Sequence, residues 1–223
     1  MQFFTHVKMK ETMPAILAIA LGVCAFSARI SAETPAAAPK TVVFLGDSLT
    51  AGLGVQPGEA FPALVAEKIR TAGLPFEVEN AGLSGDTTAG GLRRIDWLLQ
   101  RRIDLLVLEL GGNDGLRGLD LKSMKANLQA IIDKTKAKNP QVKIVLAGMQ
   151  VPPNLGAEYV SGFQRVFNEL ARENNAALIP FLLEGVGGHR DLNQKDLIHP
   201  SPAGHRIIAD LVWRTLEPIL RQS

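Results

Sequence analysis

The sequence predicts an α/β protein, a three-layer α/β/α sandwich around a parallel sheet of about five strands. Two observations carry that prediction. Short, nearly continuous apolar runs alternate along the chain with longer amphipathic segments, and the first three of these runs end in polar, glycine-rich stretches. Strands that are apolar on both faces belong to a parallel sheet covered by helices on each side.

Taken in order, the predicted strands are residues 41–45 (TVVFL), 76–80 (FEVEN), 104–110 (DLLVLEL), 142–148 (VKIVLAG) and 177–180 (ALIP). Between them the pattern broadens to amphipathic segments near 60–72, 87–101, 121–138 and 157–174, read as helices. A last helix is expected from about 202 to 221, and Pro200 and Pro202 favour a rigid, non-helical lead into it. With 223 residues there is enough chain for one domain with a full core, whereas two would be cramped. A composition of 46% hydrophobic and 21% charged residues is that of an ordinary globular protein. A formal charge of +2 gives no reason to expect a nucleic-acid partner.

Residues 1–32 are set apart from that domain. Lys8 and Lys10 precede an apolar run at 13–26 (MPAILAIALGVCAF), and the small residues Ser27, Ala28, Ser31 and Ala32 follow. This order predicts a secretory signal peptide cut after Ala32, with Ala28 as second choice, and hence a periplasmic or secreted protein. The apolar run is short for a membrane span, which takes about 20 residues; an uncleaved anchor is the alternative. Cys24 suggests a lipoprotein site only faintly, because bulky Val23 stands before it. Cleavage would remove Lys8, Lys10, Arg29 and Glu11, so the charge falls to zero, and with Cys24 it would remove the single cysteine. Residues 33–40 (ETPAAAPK) read as a linker and 41–223 as the folded domain.

Ligands on such sheets bind at the carboxyl ends of the strands. Strand one ends in Gly46-Asp47-Ser48, strand two leads to Ser84-Gly85-Asp86, and strand three ends in Gly111-Gly112-Asn113-Asp114. A serine hydroxyl becomes a nucleophile only when a base takes its proton and a third group orients that base. His199 lies in Asp196-Leu197-Ile198-His199-Pro200, where a tight turn can bring the carboxylate to the imidazole. The plainer alternative makes Asp196 a helix cap and His199 a surface residue. His205 falls within the last helix and His189 in a loop, and neither is a candidate base. Donors for an oxyanion would come from the Gly85 N–H and the Asn113 side chain.

The four blocks Gly46-Asp47-Ser48-Leu49, Ser84-Gly85-Asp86-Thr87, Gly111-Gly112-Asn113-Asp114 and Asp196-Leu197-Ile198-His199 resemble, in order and spacing, those of the SGNH (GDSL-type) hydrolases. Within them the chain is most similar to the periplasmic acyl-CoA thioesterase I, lysophospholipase and arylesterase group, through 110–118 (LGGNDGLRG) and 178–181 (LIPF). The resemblance covers 41 to about 220. It implies the flavodoxin-like SGNH hydrolase fold and a serine esterase acting on carboxylic esters and thioesters. Ser48 is then the nucleophile, His199 the base and Asp196 its partner, with an oxyanion hole of the Ser48 and Gly85 N–H groups and the Asn113 amide. Asp47 is expected to be structural.

No cofactor or metal is implied, since proton transfer and oxyanion donors suffice. The expected partner is a small acyl ester or thioester, with no nucleic acid and no stable membrane span in the mature chain, and a monomer is expected. Loop 149–156 (MQVPPNLG) could wall an apolar groove. Trp97 and Trp213 fall in helix patterns, where core packing is expected, so no sugar-binding aromatics stand out. That weighs against a carbohydrate O-deacetylase; a non-catalytic lipid-binding protein is the other rival. A nucleotide-binding module would require G-x-G-x-x-G or G-x-x-x-x-G-K-[ST], and 46–54 has neither.

Overall fold

The computed structural model describes residues 1–6, 8–10 and 38–223. The predicted signal peptide's apolar run, both of its cleavage positions and most of the linker lie outside the described residues. Residues 1–6 and 8–10 carry no regular secondary structure, and 38–223 belong to one compact unit.

Five strands build the sheet: β1 (Lys40–Gly46), β2 (Phe76–Gly82), β3 (Leu105–Glu109), β4 (Lys143–Ala147) and β5 (Ala177–Ile179). All pairings are parallel and the spatial order is β2-β1-β3-β4-β5. Every residue of β3 is buried, as is most of β1, because helices cover both faces. In the edge strand β2, by contrast, only Phe76 is buried and the other residues are half-buried or exposed.

Seven α-helices accompany the strands among the described residues: α1 (Ser48–Ala51), α2 (Phe61–Thr71), α3 (Thr88–Leu98), α4 (Gly112–Leu116), α5 (Leu121–Lys138), α6 (Ala157–Asn174) and α7 (Pro202–Arg221). Helices α2 and α7 pack together on one side of the sheet, and α3, α5 and α6 on the other. This is the three-layer α/β/α arrangement. The core runs through it from Phe44, Phe61 and Leu106 to Leu108, Phe163 and Val212, all wholly buried.

The predicted long helices fall within a residue or so of these bounds, except that α3 stops at Leu98 rather than 101. The short α1 and α4 lie where the sequence read only glycine-rich loops. Trp97 corrects an expectation: it is 62% exposed, with the Arg101 guanidinium over its ring, while Trp213 packs partly buried against the core. No described helix is long and apolar enough to cross a membrane.

The strand order reverses direction between β1 and β3, so the loops leaving these two neighbours diverge. That divergence opens a crevice at the carboxyl edge of the sheet. Register aligns Gly46 with Gly82 on β2 and with Glu109 on β3, so the three loops that follow start from one level.

Candidate active site

The chain turns sharply after β1 because Gly46 leaves room for it. A Cβ at Gly46 would collide with the Thr50 hydroxyl and the Glu109 carboxyl. Asp47 then caps α1, its Oδ1 accepting from the Leu49 N–H at 3.0 Å. Ser48 is the first residue of that helix, so its own N–H has no intrahelical acceptor. The helix is a single turn, and two further contacts hold it in place. The Thr50 hydroxyl donates to Glu109 Oε2 at 2.7 Å, and Asn80 Nδ2 donates to the Thr50 carbonyl at 2.8 Å.

The loop after β2 is fixed by Arg94 of α3. Its Nε donates to Asp86 Oδ2 at 2.7 Å, Nη1 to the Ala81 carbonyl at 2.7 Å and Nη2 to the Gly46 carbonyl at 3.0 Å. One guanidinium thus joins the ends of β1 and β2 to the loop between β2 and α3. Gly85 sits in that loop at φ +80°, a left-handed conformation that side-chain-bearing residues rarely adopt, with open space where a Cβ would be. After β3, α4 carries Asn113, and Asp114 anchors it by accepting from the Thr88 N–H and hydroxyl. Asn113 Nδ2 donates to Asp47 Oδ2 at 3.0 Å and to the Asp86 carbonyl at 2.9 Å, so all three loops meet at this amide.

The fourth segment arrives just before α7. Gln194 N–H donates to the His199 carbonyl at 2.7 Å and Leu197 N–H to the Gln194 carbonyl at 2.9 Å, closing a tight turn. Leu197 at its centre has φ +60°. Gln194 Nε2 also donates to the Leu53 carbonyl at 2.6 Å, tying the turn to the loop beyond α1. Ser201 rather than Asp196 caps α7. Asp196 instead accepts at Oδ1 from the N–H groups of Ile198 and His199, at 2.9 and 3.0 Å.

These placements bring Ser48, His199 and Asp196 into one hydrogen-bonded chain. His199 Nε2 lies 2.9 Å from Ser48 Oγ, and Nδ1 lies 2.7 Å from Asp196 Oδ2. The hydrogen bond from His199, then the two backbone N–H groups, hold the Asp196 carboxyl down at about 2. It is therefore an anion at any physiological pH, able to hold the imidazole proton at Nδ1 and leave Nε2 free to accept. Gly85 and Asn113 stand at the same rim. Among the described residues there is no group of His, Cys, Asp and Glu suited to holding a metal ion.

Residues 44–207 match the GDSL-like Lipase/Acylhydrolase family. The chain belongs to this family. It is 42% identical over 188 residues to the esterase TesA of Pseudomonas aeruginosa, covering 84% of this chain and 92% of the relative. It is 37% identical over 189 residues to thioesterase 1/protease 1/lysophospholipase L1 of Escherichia coli K12, covering 84% and 88%. The crystal structure of the esterase EstA from Pseudoalteromonas sp., inhibited by monoethylphosphonate, superposes with a TM-score of 0.77 at 34% identity, covering 82% of this chain and 99% of that one.

The structure adds several details to the sequence reading of this GDSL-family site. In loop 149–156 Met149 and Val151 are buried, Val151 packing against Gly115 of α4, Leu155 is half-buried, and Pro152 and Pro153 are exposed. His205 packs in the core, its Nδ1 accepting from the Phe61 N–H at 3.2 Å. Sequence reasoning passed over Glu109, Thr50, Arg94 and Gln194, which hold the loops in place. Glu109 carried a legible signal, an ionisable residue inside the apolar run LLVLEL; Arg94 looks like any charged residue on an amphipathic helix.

Proposed function

We propose that the protein is a serine esterase that hydrolyses carboxylic esters and thioesters through an acyl-enzyme on Ser48. The observation that carries this reading is the chain Ser48 Oγ, His199 Nε2, His199 Nδ1, Asp196 Oδ2, with links of 2.9 and 2.7 Å. Membership of a lipase/acylhydrolase family and similarity to proteins named esterase and thioesterase support it.

In the proposed cycle Ser48 Oγ attacks the acyl carbon while His199 Nε2 takes its proton, and the charge on Asp196 stabilises the imidazolium. The oxyanion receives the N–H groups of Ser48 and Gly85 and one Asn113 amide proton, the one held by the Asp86 carbonyl in the structure. His199 returns its proton to the leaving alcohol or thiol. It then activates water, whose attack releases the acid and restores Ser48.

An apolar substrate is supported by the rim itself. Leu53, Leu83, Leu116, Leu119, Leu197 and Ile198 are exposed large apolar residues, and all belong to the loops that carry the site or to α4. Aryl and alkyl esters, acyl-CoA and lysophospholipids all present such an acyl group. The hydrogen-bonded chain is complete within one polypeptide, so the monomer proposed here needs no second subunit to assemble it. The order of basic, apolar and small residues in 1–32 supports export, with 41–223 as the working domain.

The test is hydrolysis of p-nitrophenyl esters from acetate to palmitate and of a long-chain acyl-CoA, with a chelator present, by wild type and Ser48→Ala. We expect turnover that falls by roughly 10⁴-fold or more in Ser48→Ala. Equal rates for the two proteins would sink the reading.

A further inference from the structure

The turn that carries Asp196 and His199 is the tip of a short hairpin, residues 192–201. The Gln194 N–H donates to the His199 carbonyl at 2.7 Å, Asn193 bridges antiparallel to Pro200, and the Ser201 N–H donates to the Leu192 carbonyl at 2.8 Å. Asn193 is buried and fastens the hairpin to the loop before it, its Nδ2 donating to the Val186 and His189 carbonyls at 2.7 and 2.8 Å. These bonds fix the shape of the hairpin but not its distance from Ser48.

The Gln194 side chain supplies that link. Its Nε2 donates to the Pro200 carbonyl at 3.1 Å, within the hairpin, and to the Leu53 carbonyl at 2.6 Å, across 141 residues of sequence. Leu53 in turn donates its N–H to the Ser48 carbonyl at 3.0 Å. Gly54 leaves room for the amide: it has φ +81°, and a Cβ there would collide with Gln194 Oε1. Among the described residues, only two hydrogen bonds cross between the hairpin and residues 46–56, this one and the contact of His199 Nε2 with Ser48 Oγ.

The second of these bonds does not survive the reaction. Once Ser48 is acylated, its Oγ is an ester oxygen without a proton, and His199 has given its Nε2 proton to the leaving group, so neither atom can donate to the other. Deacylation nevertheless needs the imidazole in place. Its Nε2 takes a proton from water as the water oxygen bonds to the acyl carbon, and passes that proton to Ser48 Oγ as the acyl C–O bond breaks. We propose that Gln194 is a positioning residue for this second half of the cycle: it holds His199 over Ser48 while the acylated serine cannot. This inference rests on the serine-hydrolase reading.

The experiment compares wild type, Gln194→Met and Gln194→Glu on one p-nitrophenyl ester at pH 7.5. Both replacements are near glutamine in size, and neither methionine nor an ionised glutamate can donate to the two carbonyls. With an acyl-enzyme, kcat/KM reports acylation and kcat reports deacylation once that step is slow. We expect kcat per active site to fall roughly 10- to 100-fold, as for other small misplacements of a reacting group. The value of kcat/KM should fall by less than about 3-fold, so KM drops together with kcat. A burst of p-nitrophenol and an acyl adduct on Ser48 in the intact mass should accompany this. Hydroxylamine, a stronger nucleophile than water and less dependent on a base, should restore turnover. Loss of folded protein would lower the burst amplitude but not the rate per titrated site, so it does not imitate this pattern. Wild-type kinetics in both variants, or kcat and kcat/KM falling together without an adduct, would overturn the proposal. Wild type without Ser48-dependent turnover would remove the hydrolase reading instead, and amide exchange then judges the clamp by itself. Both Gln194 side-chain amide protons, assigned by their loss in Gln194→Met, should exchange with water roughly 10-fold or more slowly than those of exposed Gln222. Equal exchange would overturn the clamp.

Discussion

On the Ser48 side of the site, Asp47, Asp86 and Glu109 are each less than a tenth exposed, whereas on the His199 side the Asp196 side chain is 44% exposed. The buried side is interlocked with the sheet: Arg94 bonds to the ends of two strands, and Glu109 is itself a strand residue. The open side is a turn held by its own backbone and by Gln194. Polar contacts away from water are strong when complete and costly when broken, while those in water are individually weak. Damage on the closed side should therefore register as lost stability, and damage on the open side as lost rate in a protein that stays folded.

Asp196→Asn provides the strongest test of that contrast. The amide can present an N–H to His199 and favour the wrong tautomer, and it cannot stabilise the imidazolium. We expect kcat to fall roughly 10³- to 10⁴-fold. The melting temperature at pH 7 should stay within a few degrees of wild type, and a large drop would show that the turn is structural as well. Arg94→Met makes the opposite trade. It strands the Asp86 carboxylate and two strand-end carbonyls, so unfolding should become easier by about 3–5 kcal/mol, as for other buried pairs broken on one side. Urea unfolding measures this, and a loss under 1 kcal/mol would mean that water replaces the guanidinium.

His205 sharpens the comparison, because it seats the helix that follows the open turn. Burial holds its imidazole down to about 4, neutral against Phe61. An unfolded histidine takes its proton near pH 6.5, so between those values the unfolded state binds more protons. Stability should then fall as pH drops below about 6.5, by about 3 kcal/mol once pH is under 4. Glu109 acts in the opposite sense, since its raised value makes the fold less stable as pH rises above the usual carboxyl range. The readout is accordingly the difference between wild type and His205→Gln, which keeps an acceptor for the Phe61 N–H. If the two pH curves run parallel, His205 is not the group that titrates.

The same contrast explains which parts of the molecule were legible in the sequence. Strands such as LLVLE and the five long helices announce themselves by local pattern, because each buries a continuous face. Ser48, Gly85, Asn113, Asp196 and His199 stood out as chemically distinctive residues at the predicted strand ends or before the last helix. Helices α1 and α4 did not, because a single turn such as SLTA has no periodicity to read and is held by Thr50, Asn80 and Asp114 reaching other elements. Arg94 was invisible for a related reason: its partners lie 8, 13 and 48 residues away, at positions that only the folded register brings together. Trp97 misled because an amphipathic pattern does not say whether a residue at the margin of a helix face is covered.

Leu197 provides the smallest effect and the finest test of the open side. It sits at φ +60° between Asp196 and His199 with 44% of its surface exposed, so it combines an unfavourable backbone conformation with little burial. The left-handed region costs an ordinary residue about 1–2 kcal/mol, and glycine adopts it freely. Glycine also gives the unfolded chain more freedom, which offsets about 0.5–1 kcal/mol of that gain. Leu197→Gly should therefore leave stability unchanged or raise it by up to about 1 kcal/mol, whereas a leucine packed in a core would lose several on truncation. Activity on short esters should survive, because the side chain contributes nothing to the hydrogen bonds among Ser48, His199 and Asp196. A clear rise in KM for long-chain esters alone would show that the strained leucine serves the acyl group. Equal kinetics across the series, with a more stable protein, would mean that the turn carries its strain without using it.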